Sequence, residues 1–511
     1  MNLTTDPWIP VVLHNGNPEL VSLLDVFSRS GEITDLNVRP HERIALMRLL
    51  ICIAQAALDG PENEEDWQGC KERMVPVALA YLGKWKSVFE LFGEGPRFLQ
   101  VQGLKRVKKG KDNGEEDDGN SVSKLDLSLA TGNNSTLFDN AGGSDREFTS
   151  VQLALMLLTF QCFSPGGLIG QAQWAGISTH GRSAPEAPCV KKQMLHVIIR
   201  GQNLCETIHV NLLSKRQISQ LYTESMWGYP LWEQMPTSLS DQSAIKNATE
   251  TYLGRLLPLC RAILLENNGT MILANGLSYP EWREPTATIV KTRDQRHILR
   301  ATIEKSIWRE LSALIIKATD STSLGGPVAL RNLDDNKPFD LWVGAVITNP
   351  KNIAKVLDAV ESVFYSLPAA FLDKPVQDTY EVGVHYADIC ANRVKYALTI
   401  FRLTMETNAT SFEALTQKQA RLKLADKKRL GKIGDKALAF YWTYIEQGLR
   451  KLQEFALGPL PMKDGYVQFQ DTEWGRHVYR SALDAYAYSC THETPRQMQA
   501  YVLGLKALTE F

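Results

Sequence analysis

The character of the chain changes at Leu367-Pro368. Before that point, short apolar runs of mixed periodicity are separated by glycine, proline and asparagine turns. After it, apolar residues recur at three- and four-residue steps. Four stripes follow: Val382, Tyr386, Ile389, Cys390, Val394, Ala397, Ile400 and Phe401; Leu438, Tyr441, Trp442, Ile445, Leu449, Leu452 and Phe455; Val478, Ala482, Ala485 and Tyr488; and Met498, Tyr501, Leu505 and Leu508. Each is one face of an amphipathic helix, and such helices bury their stripes against one another. The expectation is an α+β chain, with a mixed globular domain over 1–367 and a C-terminal four-helix bundle over 368–511.

Within the first domain, Asp6 to Leu13 reads as a short edge strand, since prolines are tolerated at the start of such a strand. His41 to Leu58 carries a helical repeat through Ile44, Met47, Leu50, Ile51 and Ala54. Gly93 to Val101 reads as a turn leading into a strand. Arg261 to Ala274 reads as a hairpin turned at Asn268-Gly269, a strong hairpin dipeptide. Thr302 to Ala318 has the spacing of an amphipathic helix. Leu341 to Ile347 reads as a buried strand, followed by a turn and a helix over Ile353 to Tyr365.

One stretch stands apart. The apolar helical run Val151 to Phe163 stops at Ser164-Pro165, because proline lacks an N–H and disfavours the α region in the residue before it. Gly166, Gly167, Gly170, Gly176 and Gly181 follow, interleaved with Gln171, Gln173, Trp174, Ser178, Thr179, His180 and Arg182. Glycine permits positive φ and the close approach of another molecule to the backbone. Two readings compete: a surface loop whose glycines make turns, and a backbone surface that meets a phosphate or the edge of a base. The stretch has neither the Gly-Lys-Ser/Thr of a phosphate loop nor a Gly-x-Gly-x-x-Gly after a strand, so it is suited to contact and not to a reaction.

Lysine and arginine number 56 against 57 aspartates and glutamates. The whole molecule is therefore not an electrostatic polyanion binder, and any nucleic-acid contact must come from local patches. One such patch is Gln417 to Lys436, between the first two expected bundle helices. It sets Lys418, Arg421, Lys423, Lys427, Lys428, Arg429, Lys432 and Lys436 against only Asp426 and Asp435. The run is either a solvated face or a phosphate-tracking surface. A second charged segment, Lys105 to Asp118, places five acids after five bases and reads as a solvated loop. Thr131 to Gly143 is rich in glycine and asparagine around Leu137-Phe138. Phe138 either anchors that loop to the core or stacks on a base.

The eight cysteines form no Cys-x-x-Cys pair, and the nine histidines include no His-Glu-x-x-His. No metal or other cofactor is expected. The N-terminus lacks a basic segment followed by an apolar one, and no uninterrupted apolar run reaches the roughly 18 residues of a membrane span. A cytoplasmic protein with no membrane partner is the expectation.

Several stretches taken together resemble one family. They are Asn2-Leu3-Thr4-Thr5-Asp6-Pro7-Trp8-Ile9-Pro10-Val11, Phe160 to Gly170, Trp227-Gly228-Tyr229-Pro230-Leu231-Trp232-Glu233, and Leu357-Asp358-Ala359-Val360-Glu361-Ser362-Val363-Phe364. In that order they resemble the CasA family, the large subunits of type I-E CRISPR Cascade complexes, nearly end to end. The resemblance implies a subunit near the 5′ end of the crRNA, in contact with other Cascade subunits. It also implies that this subunit recognises the protospacer-adjacent motif in double-stranded DNA from the minor groove, helps open the duplex, and helps recruit a helicase-nuclease. Guide pairing would read the target, while the protein reads a short motif and duplex shape.

Carried over residue by residue, the resemblance implies a DNA-motif loop at Pro165, Gly166, Gly167 and Gly170, in a groove about 6 Å wide. A loop at the crRNA end or the DNA falls on Asn133, Asn134, Phe138 and Asn140. The wedge falls at Asn349, Lys351 and Asn352, where family members often carry a glutamine that this chain lacks. A hairpin that bears a lysine in some members has Asn267 and Asn268 here. Zinc-binding cysteine pairs of some members are absent.

The expectation is thus a non-enzymatic DNA-recognition subunit. The alternatives are an architectural scaffold that binds proteins without reading DNA, and a metal-dependent nuclease, for which no Asp-x-Asp or metal-spaced histidine cluster speaks.

Overall fold

The computed structural model describes residues 1–107, 119–129, 147–181, 183–222, 227–319, 323–349, 351–407, 411–420 and 424–510. Helix and sheet are mixed, and the chain divides into two compact units, Met1–Ala369 and Ala370–Phe511.

The first unit is built around two helices that are apolar on nearly every side, which is the pattern of a helix enclosed by other elements. Pro40–Leu58 begins with proline at its first turn, where the missing N–H costs nothing. It buries Ile44 to Ala54 and ends on Asp59 in the left-handed region, φ 45°. Ser150–Phe163 is capped by Thr149, whose hydroxyl accepts from Gln152 N while the Gln152 side chain accepts from Thr149 N. Among the described residues of this unit, four three-stranded sheets and two two-stranded ribbons accompany these helices; the fourth sheet, Ala172–Trp174 between Lys105–Arg106 and Ile177–Ser178, belongs to the glycine-rich stretch. One sheet pairs Ile9–Leu13 with Pro18–Val21 and Ile33–Leu36. A second pairs Arg261–Leu265 with Thr270–Asn275, which pairs in turn with Asn120–Ser121. The third joins His196–Arg200 to Phe339–Asn349 and then to Asn352–Leu367.

Four sequence expectations are corrected here. The first strand, Ile9–Leu13, is not an edge strand but the centre of its sheet, because Val11 and Val12 pair on both sides. Ile353–Tyr365 is not a helix but lies within the long strand Asn352–Leu367. Continuous antiparallel pairing with Phe339–Asn349, together with Val356, Val360 and Val363, outweighs the helical spacing. Thr302–Ala318 is not one helix. It holds a 3-10 turn, Ile307–Glu310, and a single helical turn, Leu311–Leu314. Its apolar residues Ile307, Trp308, Leu311, Leu314, Ile315 and Ala318 are buried, so the periodicity reflects packing. Beyond Leu314 the chain leaves the helix, and Gly326 N donates to Ile316 O at 2.8 Å. Finally, Gly93–Val101 forms turns and no strand; Val101 N is instead taken by Ile263 O at 2.9 Å.

The second unit is helical. Lys374–Glu406 packs against Leu424–Glu446, Leu449–Leu457, Glu473–Ser489 and Pro495–Thr509. Tyr441 donates its hydroxyl to Ala387 O at 2.8 Å, and Trp474 Nε1 donates to Gly383 O at 2.9 Å. The expected stripe Leu438–Phe455 is divided between two helices by a break at Gln447-Gly448. Most stripe positions are buried. Val382, Ile389, Tyr488 and Met498 are exposed instead, because the helices turn those edges outward.

Candidate nucleic-acid interface

The glycine-rich stretch leaves the Ser150–Phe163 helix at Ser164, whose N–H still bonds Phe160 O at 2.8 Å while its own ψ of 125° ends the helix. Beyond Pro165 the chain forms a pair of miniature ribbons, which the sequence reading did not anticipate. Gly167–Leu168 pairs antiparallel with Ser183–Ala184. Ala172–Trp174 pairs with Ile177–Ser178 on one edge and with Lys105–Arg106 on the other. The turn between the first two is Ala175-Gly176, with φ of 50° and 83°, the conformation of a tight hairpin turn. An alanine-glycine dipeptide is a weak hairpin signal, which is why it escaped notice.

Buried anchors hold these ribbons. Trp174 is 1% exposed, and its Nε1 donates to Thr237 O at 3.1 Å. The buried Thr179 hydroxyl accepts from Ala172 N at 3.1 Å. The stem is held by Arg261, 2% exposed, at the start of the neighbouring hairpin. Its Nη2 donates to Pro165 O at 2.8 Å and to Pro185 O at 3.0 Å, and its Nη1 to Cys260 O at 2.9 Å. Asn275, at the end of the same hairpin, donates to His180 O at 2.6 Å. One β-hairpin thus grips the stretch at both ends and beyond its middle. Sequence reasoning missed Arg261 and Asn275; a charged residue at the head of an otherwise apolar strand was the available signal.

What these anchors leave outside is specific. Gly166 is buried and Gly167 half-buried with φ of 151°, whereas Leu168 and Gly170 are exposed. At Gly170 an added Cβ would meet nothing nearer than Leu273 O at 3.8 Å, and the residue has no positive φ. The fold therefore does not require glycine at 170.

Asn267 and Asn268 form the exposed turn of the Arg261–Asn275 hairpin. Asn268 Oδ1 accepts from Thr270 N at 3.0 Å, and Gly269 takes a φ of 77°. Arg106, on the strand paired to Ala172, forms an ion pair with Glu266 beside that turn. Two stretches separated by a hundred residues in sequence are therefore one assembly.

Asn349, Lys351 and Asn352 lie at the tip of the long Phe339–Leu367 hairpin. Lys351 and Asn352 are exposed, and Asn349 Oδ1 accepts from Lys351 N at 2.9 Å. Beneath the tip, buried Thr348 O accepts from Gln193 Nε2 at 2.9 Å. Gln193 and Lys192 both hold positive φ, 55° and 58°.

Asn133, Asn134, Phe138 and Asn140 lie outside the described residues, as do Arg421 and Lys423. The basic run is not a connector between helices. Lys418 belongs to the helix Phe412–Ala420, while Lys427, Lys428, Arg429, Lys432 and Lys436 belong to Leu424–Glu446. Lys436 is exposed, with its ammonium 6.0 Å from the Tyr488 ring.

Among the described residues no group of three or more His, Cys, Asp or Glu side chains could hold a metal ion, and no helix is long and apolar enough to cross a membrane. The eight cysteines are free and buried. Arg48, Arg255 and Glu284 form a buried cluster of charged groups. Arg48 Nη1 lies 2.9 Å and Arg255 Nη2 3.3 Å from the carboxylate, which is held below the usual range by the two guanidiniums against the opposing effect of burial.

The sequence matches the family described as CRISPR-associated protein Cse1 over residues 2–485. A CasA/Cse1 protein of Thermus thermophilus is 28% identical over 421 residues, which span 77% of this chain and 76% of that one. A solved structure of Thermus thermophilus CasA (Cse1) superposes with a TM-score of 0.72 at 21% identity, covering 99% of this chain and 98% of the other. Cse1 from Acidimicrobium ferrooxidans gives 0.72 at 19%, covering 99% and 96%. A chain of a CRISPR RNA-guided surveillance complex gives 0.71 at 18%, covering 100% and 99%. At these identities the structural likenesses establish a shared fold.

Proposed function

The chain belongs to the CRISPR-associated Cse1 family, and on that premise we propose that it is the large subunit of a type I-E RNA-guided surveillance complex. In this reading it sits with other Cascade subunits and the crRNA. It recognises the protospacer-adjacent motif in double-stranded DNA, aids duplex opening and helps recruit the helicase-nuclease. It carries out no chemistry of its own.

The observation that carries the DNA-reading role is Gly170. Neither backbone conformation nor packing calls for glycine there, yet it lies exposed on a stretch whose stem is fixed by buried bonds. A bare backbone held in place can approach a groove edge that side chains would obstruct. The exposed Lys351 and Asn352 at the hairpin tip supply hydrogen-bonding groups suited to a wedge beside the motif. Asn267 and Asn268 offer uncharged donors and acceptors on the turn coupled to the glycine stretch. The loop around Phe138 is assigned to the crRNA end or the DNA, and the second unit is read as a four-helix bundle whose basic helix tracks phosphates.

The test is a binding screen of the assembled complex against duplexes with a randomised flanking motif. A narrow enriched motif that broadens on Gly170→Val supports the reading. An enrichment indifferent to Gly170 would remove the glycine stretch from motif recognition.

A further inference from the structure

Leu168 is the most exposed large apolar side chain among the described residues, at 92%, ahead of Tyr466 at 76%. A leucine in water forgoes the burial that stabilises leucines elsewhere in the fold, so packing within this chain does not account for it. Its backbone is nonetheless fixed. Leu168 pairs with Ser183, Pro165 O and Pro185 O on either side of that pair are both bonded to the buried Arg261, and His180 O is bonded to Asn275. Leu168 follows Gly167 and is followed by the half-buried Ile169 and then the exposed Gly170, so the leucine is the most exposed side chain between two glycines.

A rigidly mounted, almost fully exposed aliphatic side chain in a glycine-flanked stretch is suited to entering a narrow space that is polar at its edges and apolar within. A base step viewed from the minor groove is such a space. Apolar wedges of leucine size enter it, partly unstack the step and kink the duplex. Building on the motif-reading role proposed above, we infer that Leu168 is the side chain the glycine stretch inserts against a base step of the flanking motif. The stretch then begins to unstack the duplex as it reads it. Arg261 acts as a positioning residue, holding the stem so that insertion costs little ordering of the loop.

The experiment uses the assembled complex carrying wild-type subunit, Leu168→Met, Leu168→Ala or Leu168→Gln, on motif duplexes with 2-aminopurine at the first step beside the motif. The rise in fluorescence reports unstacking. The exposed position makes all four chains fold alike, which thermal melting checks. Unstacking is expected to slow about ten-fold or more in Leu168→Ala and Leu168→Gln and to stay within about two-fold of wild type in Leu168→Met, which keeps an apolar wedge. Wild-type unstacking in Leu168→Ala overturns the inference. So does loss of the Leu168→Ala subunit from the complex on gel filtration, which would make Leu168 a contact to another protein. If the wild-type complex unstacks motif-bearing and motif-free duplexes alike, the motif-reading role itself falls, and Leu168 falls with it.

Discussion

Arg261 Nη2 lies 2.8 Å from the carbonyl oxygen of Pro165, and among the described residues no carboxylate pairs with this buried guanidinium. Burial lowers its pKa. A cation enclosed without a counter-ion is costly, and it is retained where its donors serve several acceptors at once. Here the fork joins Cys260, Pro165 and Pro185. Arg261→Met removes the guanidinium from the Pro165 and Pro185 carbonyls, at roughly 1–3 kcal/mol each when buried, while Cys260 O keeps Gly276 N at 3.1 Å; relief of the buried charge offsets part of that cost. Overall stability should therefore change modestly, while amide exchange over 165–185 rises and motif-dependent binding weakens. Hydrogen-exchange mass spectrometry reads this directly, and unaltered exchange over 165–185 would contradict the clamp.

Gly170 and Gly326 differ in what the fold asks of them. A Cβ at Gly326 would collide with Leu314 O, whereas one at Gly170 meets only Leu273 O at 3.8 Å. Gly326→Ala should destabilise by about 1–3 kcal/mol, as overpacking does. Gly170→Ala should leave urea unfolding within about 0.5 kcal/mol of wild type and still reduce binding to motif-bearing duplex. Equal loss on motif-free duplex would show that Gly170 does not serve motif reading.

At the tip of the long hairpin, Lys351→Ala and Asn352→Ala alter exposed side chains. Each should stay within about 0.5 kcal/mol in stability. Duplex opening by the assembled complex, followed by permanganate reactivity of unpaired thymines, should slow in the double variant. Wild-type reactivity would remove the tip from duplex opening.

His41 and His196 give the fold a pH dependence. Burial pushes both down to about 4. His196 Nε2 lies 2.8 Å from Cys189 O, which can only accept, and its Nδ1 lies 2.8 Å from the Thr286 hydroxyl, so the neutral ring is already satisfied. Nearby Arg48 adds to the lowering and Glu284 opposes it. Unfolded histidines bind protons near pH 6.5, whereas the folded ones do so only near 4. Stability should therefore fall as pH drops from about 6.5 towards 4, by up to about 1.4 kcal/mol per pH unit for each histidine. Urea unfolding at pH 7, 6 and 5 measures it, and His196→Gln should flatten the slope. Equal stability at pH 7 and 5 would refute the assignment.

Strong local signals survived into the structure, and elements decided by distant pairing did not. Proline at 165 and the Asn268-Gly269 dipeptide act within a few residues, and both the helix end and the hairpin stand where the sequence places them. Asn352–Leu367 carries a spacing compatible with either period, and its partner strand made the choice. The glycine stretch was legible as a surface loop from its composition, and Leu168, Gly170 and Gln171 are exposed. Its stiffness was not legible, because that depends on Arg261 and Asn275, about a hundred residues further along the chain. Leu168 was equally hidden, since nothing in Gly167-Leu168-Ile169-Gly170 says whether the leucine faces the core or solvent.

The basic residues of Leu424–Glu446 offer a last test. Lys427, Lys428, Arg429, Lys432 and Lys436 fall within ten residues of one helix, in a chain whose other residues carry 51 lysines and arginines against 57 acids. Each phosphate neutralised by such a residue releases condensed counter-ions, so the log–log dependence of duplex affinity on salt steepens by about 0.9 per contact. Five contacts give a slope near −4.5 for the assembled complex, estimated on that basis. Replacing Lys427, Lys428, Arg429 and Lys432 with alanine should flatten the slope by up to about 3.6 units and weaken motif-bearing and motif-free duplexes alike, because phosphate contacts carry no sequence information. A slope unchanged by all four substitutions would mean the helix faces solvent or a protein neighbour and not the DNA backbone.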